Sequence, residues 1–290
     1  MKREKVINWM IFITLCFIWG SAFILMKWSK QQLNGYQIGA IRIFSAGLVF
    51  LPFAIPHLAK IPCRKILYVI LTGMLGNFFP AFLFAIAIEN KIDSSLAGIL
   101  NSLTPLFVIV LAIFFFKTKV QVKQVIGVMV GFFGLLLLSL SQGGISTANY
   151  TYALLILIAT FMYGVNVNIV SYYLKEVDPI QLATVSLAFM SIPAGIILWQ
   201  QDVIQFIKDV PASRLSIIAA ALLGIIGSAF ATALFYVLIK RAGGLFASLI
   251  TYGIPVVAII WGVWGGEDVT PMQIGCLGMI LGGVYLANRA

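Results

Sequence analysis

The chain has 290 residues, of which 61% are hydrophobic and only 10% are charged. A typical soluble domain carries about 25% charged residues, so this composition excludes a cytosolic enzyme, a secreted factor and a disordered chain. The net charge is +10, from 19 Lys and Arg against 9 Asp and Glu. Because the basic residues lie in short loops between apolar segments, they indicate membrane topology and not nucleic-acid binding.

Ten apolar segments are long enough to cross a bilayer, which takes about 20 mostly apolar residues. Backbone amides in hydrocarbon must pair within their own segment, so we expect ten transmembrane helices in an all-α integral membrane protein. In chain order the predicted spans are 8–28, 36–56, 66–88, 94–116, 122–140, 150–174, 178–199, 215–239, 244–264 and 271–287.

The basic residues between the spans favour one orientation. Thirteen of the 19 Lys and Arg residues lie on the side of the N-terminus, five lie on the opposite side, and Arg42 lies well within a span. Positive charge accumulates on the cytoplasmic side of membrane proteins. We therefore expect a multi-pass protein of the cell (inner) membrane with both termini in the cytoplasm.

Residue identities recur at a nearly constant offset of 144 to 151 positions. Four groups of matches follow one another along the chain, represented by Gly20 and Gly164, Gly76 and Gly227, Pro105 and Pro255, and Gly127 and Gly275. The pattern predicts two five-helix repeats, residues 1–142 and 143–290, within one membrane domain. Because five is odd, the second repeat enters the membrane from the opposite side, an inverted arrangement typical of secondary transporters.

Short motifs along the whole chain resemble those of the ten-span EamA-type members of the drug/metabolite transporter superfamily. They are Trp19-Gly20-Ser21-Ala22-Phe23 with Lys27, Arg42-x-x-x-Ala46, the prolines that follow Ala97 and Ala247, and Gly266-Glu267 before Gln273-x-Gly275. The first half has Lys117-Thr118-Lys119 in place of the Gly-Glu pair, so no acidic role is carried over there. The resemblance implies export or exchange of small metabolites, and it does not fix the substrate.

Polar side chains inside a span are costly unless they face a cavity or another helix. The candidate substrate-binding and translocation residues are Trp19, Ser21, Arg42, Asn77, Asn101, Thr104, Tyr163, Asn166, Ser228, Thr232, Thr251 and Tyr252. For the neutral polar groups the alternative is hydrogen bonding between helices, and for Trp19, Tyr163 and Tyr252 it is a position at the bilayer interface. For Arg42 the alternative is that the long side chain reaches the outer headgroups.

Pro105 and Pro255 are predicted hinges at matching places in spans 4 and 9. A proline frees the carbonyl four residues before it, which here belongs to Asn101 and to Thr251. Two such kinks, each with a freed carbonyl and a polar side chain, would form a binding site at the membrane midplane. The alternative is that both prolines only bend their helices.

Spans 5 and 10 carry almost no polar residues. They contain Gly127-x-x-x-Gly131 and Gly278-x-x-x-Gly282, a spacing that lets helices approach closely. We expect these spans at the periphery, packing within one protomer or across a homodimer. The other expected partners are the lipid bilayer and a small-molecule substrate, with no nucleic acid.

The interiors of the spans carry no Asp or Glu, and His57 is the single histidine. The sequence therefore predicts no enzyme, no catalytic residue, no metal site and no cofactor, and it disfavours proton antiport through a buried acid. The predicted function is a secondary transporter of a small polar or amphipathic metabolite, amino-acid-like or drug-like, acting as exporter, facilitator or exchanger. The alternatives are a transporter of an anionic metabolite anchored by Arg42 and, less favoured, a non-transporting sensor or assembly protein.

Overall fold

The computed structural model describes residues 2–90, 92, 94–141, 150–264 and 270–288. A helix lies at each of the ten predicted spans. Nine helices in the described ranges are long and apolar enough to cross a membrane. The last predicted span corresponds to Pro271–Asn288, which is not among those nine. The predicted boundary between the halves, at 142 and 143, and the Gly266-Glu267 motif lie outside the described residues.

The helices that lie at the predicted spans are numbered in chain order. They are α1 (Lys2–Ser29), α2 (Gly35–Leu58), α3 (Cys63–Gly73, Met74–Phe78 and Phe79–Glu89), α4 (Ser94–Asn101 and Thr104–Phe114), α5 (Val122–Ser141), α6 (Tyr150–Tyr172), α7 (Pro179–Gln200), α8 (Arg214–Gly224, Ile225–Phe230 and Ala231–Ala242), α9 (Gly244–Ser248 and Ile250–Trp264) and α10 (Pro271–Asn288). The short helices Val203–Asp209 and Pro211–Ser213 connect α7 to α8.

Helices α3 and α8 each contain a π-helical segment in the middle of the span. These segments are Met74–Phe78 and Ile225–Phe230. π-Helical turns are rare and are frequently found at functional sites. Both segments include a glycine of the repeat pattern, Gly76 in α3 and Gly227 in α8. The two helices therefore depart from α-helical geometry at matching places.

A polar cap fixes the start of α2 against the end of α3. The Asn34 side chain accepts from the Gln37 backbone N–H at 2.8 Å, and the Gln37 side chain accepts from the Asn34 N–H at 3.1 Å. The Glu89 carboxylate accepts from the Gly35 N–H at 2.7 Å. An acidic group is favourable at a helix N-terminus, where the first amides have no partner within the helix. The cap thus holds the α1–α2 connection beside α3.

The glycine motif of span 5 packs against α10 within the chain. A Cβ atom on Gly127 would lie 2.7 Å from the Gly283 carbonyl oxygen, and one on Gly283 would lie 2.5 Å from the Gly131 backbone nitrogen. Only glycine permits backbones to approach this closely. Gly278 and Gly282 have no atom within 4 Å of such a Cβ. The α10 contact therefore uses Gly283 and not the predicted motif.

Chemical labelling of Cys63 tests the predicted orientation of the bundle in the membrane. This residue begins α3 and is exposed, whereas Cys16 and Cys276 are buried. If the N-terminal side is cytoplasmic, a membrane-impermeant maleimide should label Cys63 in inside-out vesicles and leave it unlabelled in right-side-out vesicles. The Cys63→Ser variant is the control for labelling elsewhere. Labelling in right-side-out vesicles and not in inside-out vesicles would reverse the predicted orientation.

Candidate functional site

A cavity of about 130 Å³ lies among the helices of both halves of the chain. For comparison, an engineered cavity of about 150 Å³ binds benzene, so the volume suits a small metabolite. Nine of the predicted binding residues line it: Trp19, Arg42, Asn77, Asn101, Thr104, Tyr163, Asn166, Thr232 and Thr251. These residues come from α1, α2, α3, α4, α6, α8 and α9, and they meet at one place although they are far apart in sequence.

The other three predicted residues do not line the cavity. Ser21 accepts a hydrogen bond from the Trp261 indole at 2.9 Å, which ties α1 to α9. The fully buried Tyr252 donates to the Val128 carbonyl of α5 at 2.9 Å. Ser228 lies behind Arg42 and accepts from it. Helical periodicity places a residue on a face of its helix, but it does not say which neighbour covers that face.

Arg42 is half-buried and lines the cavity wall. Its Nε donates to the Ser228 hydroxyl at 2.7 Å. Among the residues that the structure describes, no Asp or Glu lines the cavity. The guanidinium therefore places one positive charge beside the cavity with no protein counter-charge at its surface. Such a group is well suited to a planar oxyanion, which it can bind through two parallel hydrogen bonds.

The π-helical segment of α8 positions two side chains from the first half. The Trp19 indole nitrogen donates to the Gly227 carbonyl at 2.9 Å, and the next residue, Ser228, receives Arg42. Gly224 lies one turn earlier, where a Cβ atom would overlap the Arg42 carbonyl oxygen. Close backbone contact between α2 and α8 thus sets the depth at which Arg42 enters the cavity.

Two aromatic pairs form part of the cavity wall. Trp19 packs on Phe235 with ring centroids 5.3 Å apart, and Phe84 lies near Tyr163 with centroids 6.2 Å apart. The repeat offsets of 144 and 151 relate Trp19 to Tyr163 and Phe84 to Phe235. Sequence reasoning missed the two phenylalanines as site residues, although their match between the halves was the available signal.

A second part of the lining is polar and deeply buried. Asn77, Asn166 and Tyr236 are 7%, 3% and 0% exposed. Thr232 donates to the Asn77 side-chain oxygen at 2.8 Å. The Asn77 amide nitrogen, the Asn166 amide oxygen and the Tyr236 hydroxyl make no hydrogen bond of good geometry in the described part of the chain, although the Tyr236 hydroxyl lies close to the Asn77 and Asn166 side chains. Buried polar atoms are nearly always paired, so these atoms can pair with a polar group that enters the cavity or, after a small shift, with one another.

The two predicted hinges differ in structure. Helix α4 is interrupted just before Thr104 and Pro105, and the Thr104 hydroxyl donates to the Asn101 carbonyl at 2.7 Å. The carbonyl thus accepts a side-chain hydroxyl in place of the backbone N–H that proline lacks, and the Asn101 side-chain oxygen makes no hydrogen bond in the described part of the chain. Helix α9 is interrupted at 249, and Pro255 lies inside its second part. The repeat offset does not superpose the two interruptions.

A metal site does not emerge from these residues. Within the described ranges, no group of three or more His, Cys, Asp or Glu side chains is placed to hold a metal ion. The chemistry that the cavity offers is a guanidinium, amide and hydroxyl groups, and aromatic surface. Groups of these kinds can form hydrogen bonds with a solute and stack against it.

Comparisons with known proteins find relatives over nearly the whole chain. The chain matches the EamA-like transporter family over residues 7–140 and again over residues 150–289. It is 25% identical to an uncharacterized transporter of Archaeoglobus fulgidus, over 97% of this chain and 99% of that protein. It is 25% identical to the uncharacterized inner membrane transporter YedA of Escherichia coli K12, over 94% of this chain and 88% of that protein. A WAT1-related chloroplastic protein of Arabidopsis thaliana is 23% identical, over 97% of this chain and 69% of its own.

A solved crystal structure has the same fold. It superposes with a TM-score of 0.73 over 96% of this chain and 95% of that chain, at 18% sequence identity. The family match covers both halves and nearly the whole length. The chain therefore belongs to the EamA-like transporter family of the drug/metabolite transporter superfamily and is a membrane transporter.

Proposed function

We propose that the chain moves a small polar or amphipathic metabolite across the cell inner membrane by alternating access through this cavity. The observation that carries the proposal is the origin of the lining, because both halves of the chain contribute to one cavity. In many secondary transporters, two repeats rock around a site at their interface and expose it to each side in turn. The protein would act as an exporter, a facilitator or an exchanger of this solute.

The mechanism requires two inverted five-helix repeats, which we place at residues 1–142 and 143–290. Separate family matches to the two halves support the duplication. Close approaches of the same kind also recur. A Cβ atom on Gly73 would lie 2.8 Å from the Ser186 carbonyl oxygen, and a Cβ atom on Gly224 would overlap the Arg42 carbonyl oxygen. The repeat offset of 151 relates Gly73 to Gly224, and the offset of 144 relates Arg42 to Ser186.

Contacts at one end of the bundle tie α3 and α8 to the end of α6. The ammonium of Lys65, at the start of α3, donates to the Tyr173 carbonyl. The ammonium of Lys240, at the end of α8, donates to the Leu174 carbonyl. Carbonyls at a helix C-terminus lack partners within the helix and attract cations. These two lysines therefore hold this end together.

The same helices are tied to α1 and α2 at the opposite end. Glu89, at the end of α3, accepts from the Gly35 N–H at 2.7 Å, and Ser216 of α8 donates to the Trp28 carbonyl at 2.8 Å. The offset of 151 relates Glu89 and Ser216 to the two lysines. Matching contacts at both ends support the proposal that one set opens while the other closes.

A transporter of anionic metabolites is the second candidate, and the position of Arg42 favours it. The side chain lines the cavity instead of extending away from it, and no acid accompanies it there. A carboxylate or phosphate would supply the missing counter-charge. A neutral zwitterion would supply it in part.

Counterflow in proteoliposomes tests the proposed function. The vesicles are loaded with neutral amino acids or with small organic acids, and uptake of each labelled solute is followed with and without a pH gradient. Saturable uptake without a gradient supports a facilitator or an exchanger. Uptake that needs the gradient would contradict our argument from the missing buried acids. A non-transporting sensor predicts no uptake of any solute, and that result would overturn the proposal.

Two side chains near the hinges should contribute to transport. Asn101→Ala removes an unpaired amide oxygen from the cavity, and Thr251→Ala removes a hydroxyl that donates to the Ser248 carbonyl. A hydrogen bond contributes about 1 kcal/mol, so we expect each variant to lower the initial rate roughly 5- to 10-fold. The control is Ser139→Ala, a buried serine of α5. Wild-type transport rates in both variants would show that these two side chains near the hinges do not contribute to transport.

A further inference from the structure

We propose that the substrate is a small carboxylate that also carries a neutral hydrogen-bonding group, such as a hydroxyl, and that it binds in one orientation. The carboxylate binds Arg42. The neutral group binds the polar subsite, which we define as Asn77, Asn166 and Tyr236. This inference rests on the proposed function, because it assigns a substrate class to the same cavity.

The positive charge of Arg42 in the cavity favours a carboxylate on the substrate. Ser228 takes the Nε hydrogen of Arg42, and no described residue accepts from its terminal nitrogens. A guanidinium keeps its charge at any pH that the cell reaches. Because no described acid lines the cavity, a bound anion brings the counter-charge and a bound cation adds repulsion. A carboxylate matches the two remaining donor directions of the guanidinium in one plane.

The matching place in the other repeat carries no charge. The offset of 144 relates Arg42 to Ser186, and the offset of 151 relates Ser228 to Asn77. The close contacts of Gly224 with the Arg42 carbonyl and of Gly73 with the Ser186 carbonyl support this correspondence. The repeats thus supply a charged half-site and a neutral one. A solute with one anionic end and one neutral polar end satisfies both, whereas a second carboxylate would lie unpaired in the neutral half.

The polar subsite favours a neutral hydrogen-bonding group, such as a hydroxyl, on the substrate. The atoms that make no hydrogen bond of good geometry are an amide nitrogen on Asn77, an amide oxygen on Asn166 and the hydroxyl of Tyr236, and they lie close together around the Tyr236 hydroxyl. Whichever way the amides are turned, the three side chains offer both donors and acceptors. A hydroxyl donates one hydrogen bond and accepts two, so it can pair with both kinds of atom. An ammonium only donates, leaves the amide N–H groups unpaired, and finds no acid beside it.

The experiment uses four probes on one carbon skeleton, so that each differs in one group. They are 2-hydroxy-4-methylpentanoate, the deoxy acid 4-methylpentanoate, the amino acid leucine and the hydroxyamide 2-hydroxy-4-methylpentanamide. Binding to the purified full-length protein is measured by calorimetry. We expect the hydroxy acid to bind at least 10-fold more tightly than each of the others, because each loses one matched group or adds an unpaired one.

Variants assign each preference to its residues. In Tyr236→Phe and Asn166→Leu, the advantage of the hydroxy acid over the deoxy acid should fall to about twofold, while the deoxy acid binds as in the wild type. Arg42→Gln should weaken both acids and leave the hydroxyamide unchanged. Ser139→Ala, from α5, should keep all four affinities. Tyr236→Phe retains the buried ring and guards against a folding defect in Asn166→Leu.

Three results would overturn the inference. They are equal affinities for the hydroxy and deoxy acids, tighter binding of leucine or of the hydroxyamide, and an Arg42→Gln variant that still prefers the acids. If none of the carboxylates binds while counterflow detects another solute, the substrate class is wrong and the proposed function stands. If counterflow detects no solute at all, the proposed function itself fails.

Discussion

Transport by the Arg42→Gln variant is expected to fall about 10- to 100-fold, the largest loss among single substitutions in the cavity. Hydrogen bonds to a charged group contribute about 1.5–3 kcal/mol, and Arg42 is the one charged residue that lines the cavity in the described part of the chain. Arg42→Lys should recover only part of the rate. An ammonium cannot hold Ser228 and a carboxylate in the same plane.

Thermal stability separates a lost substrate contact from a lost fold. A partly buried cation without a counter-charge costs free energy, so Arg42→Gln should keep or raise the melting temperature of the purified protein while its flux falls. The control is Lys27→Gln, because Lys27 is exposed near the end of α1. It should leave both quantities unchanged. Retention of more than half the wild-type rate by Arg42→Gln would remove the residue from the translocation path.

The positions of the helices could be predicted from hydropathy alone. Each predicted span coincides with a helix, because hydrocarbon imposes internal pairing on any segment of that length and composition. The polar groups that line the cavity could also be predicted, since a buried amide or guanidinium has few other places to lie. Nine of the predicted residues meet there, and whether they bind substrate stays a prediction.

The details that sequence reasoning missed depend on contacts between distant residues. Tyr252 looked like a wall of the site, yet it donates to Val128 of α5, a partner that no local pattern identifies. The π-helical segments Met74–Phe78 and Ile225–Phe230 shift the face on which later residues lie, so a strict 3.6-residue period misplaces them. The Thr104 hydroxyl donates to the Asn101 carbonyl, and this bond depends on the side-chain conformation of Thr104, which the sequence does not specify.

The Gly224→Ala variant should be less stable than the wild type, although alanine is the better helix former. Helix propensity alone favours alanine by about 1 kcal/mol, and the matched variant Gly278→Ala should show this gain, because its Cβ has no atom within 4 Å. At Gly224 the added Cβ overlaps the Arg42 carbonyl and the Ser45 hydroxyl. Overpacking costs about 1–3 kcal/mol, so the two alanines should shift the melting temperature in opposite directions, by a few degrees each.

The same substitution should lower transport through Arg42. Separating α2 from α8 lengthens the 2.7 Å bond between Arg42 Nε and the Ser228 hydroxyl, and the guanidinium then loses its fixed position on the cavity wall. Adding Ser45→Ala removes the hydroxyl but leaves the carbonyl, which belongs to the α2 backbone and cannot turn away. The double variant should therefore recover little flux. Full recovery would show that the Ser45 side chain, and not the close backbone contact, sets the position of Arg42.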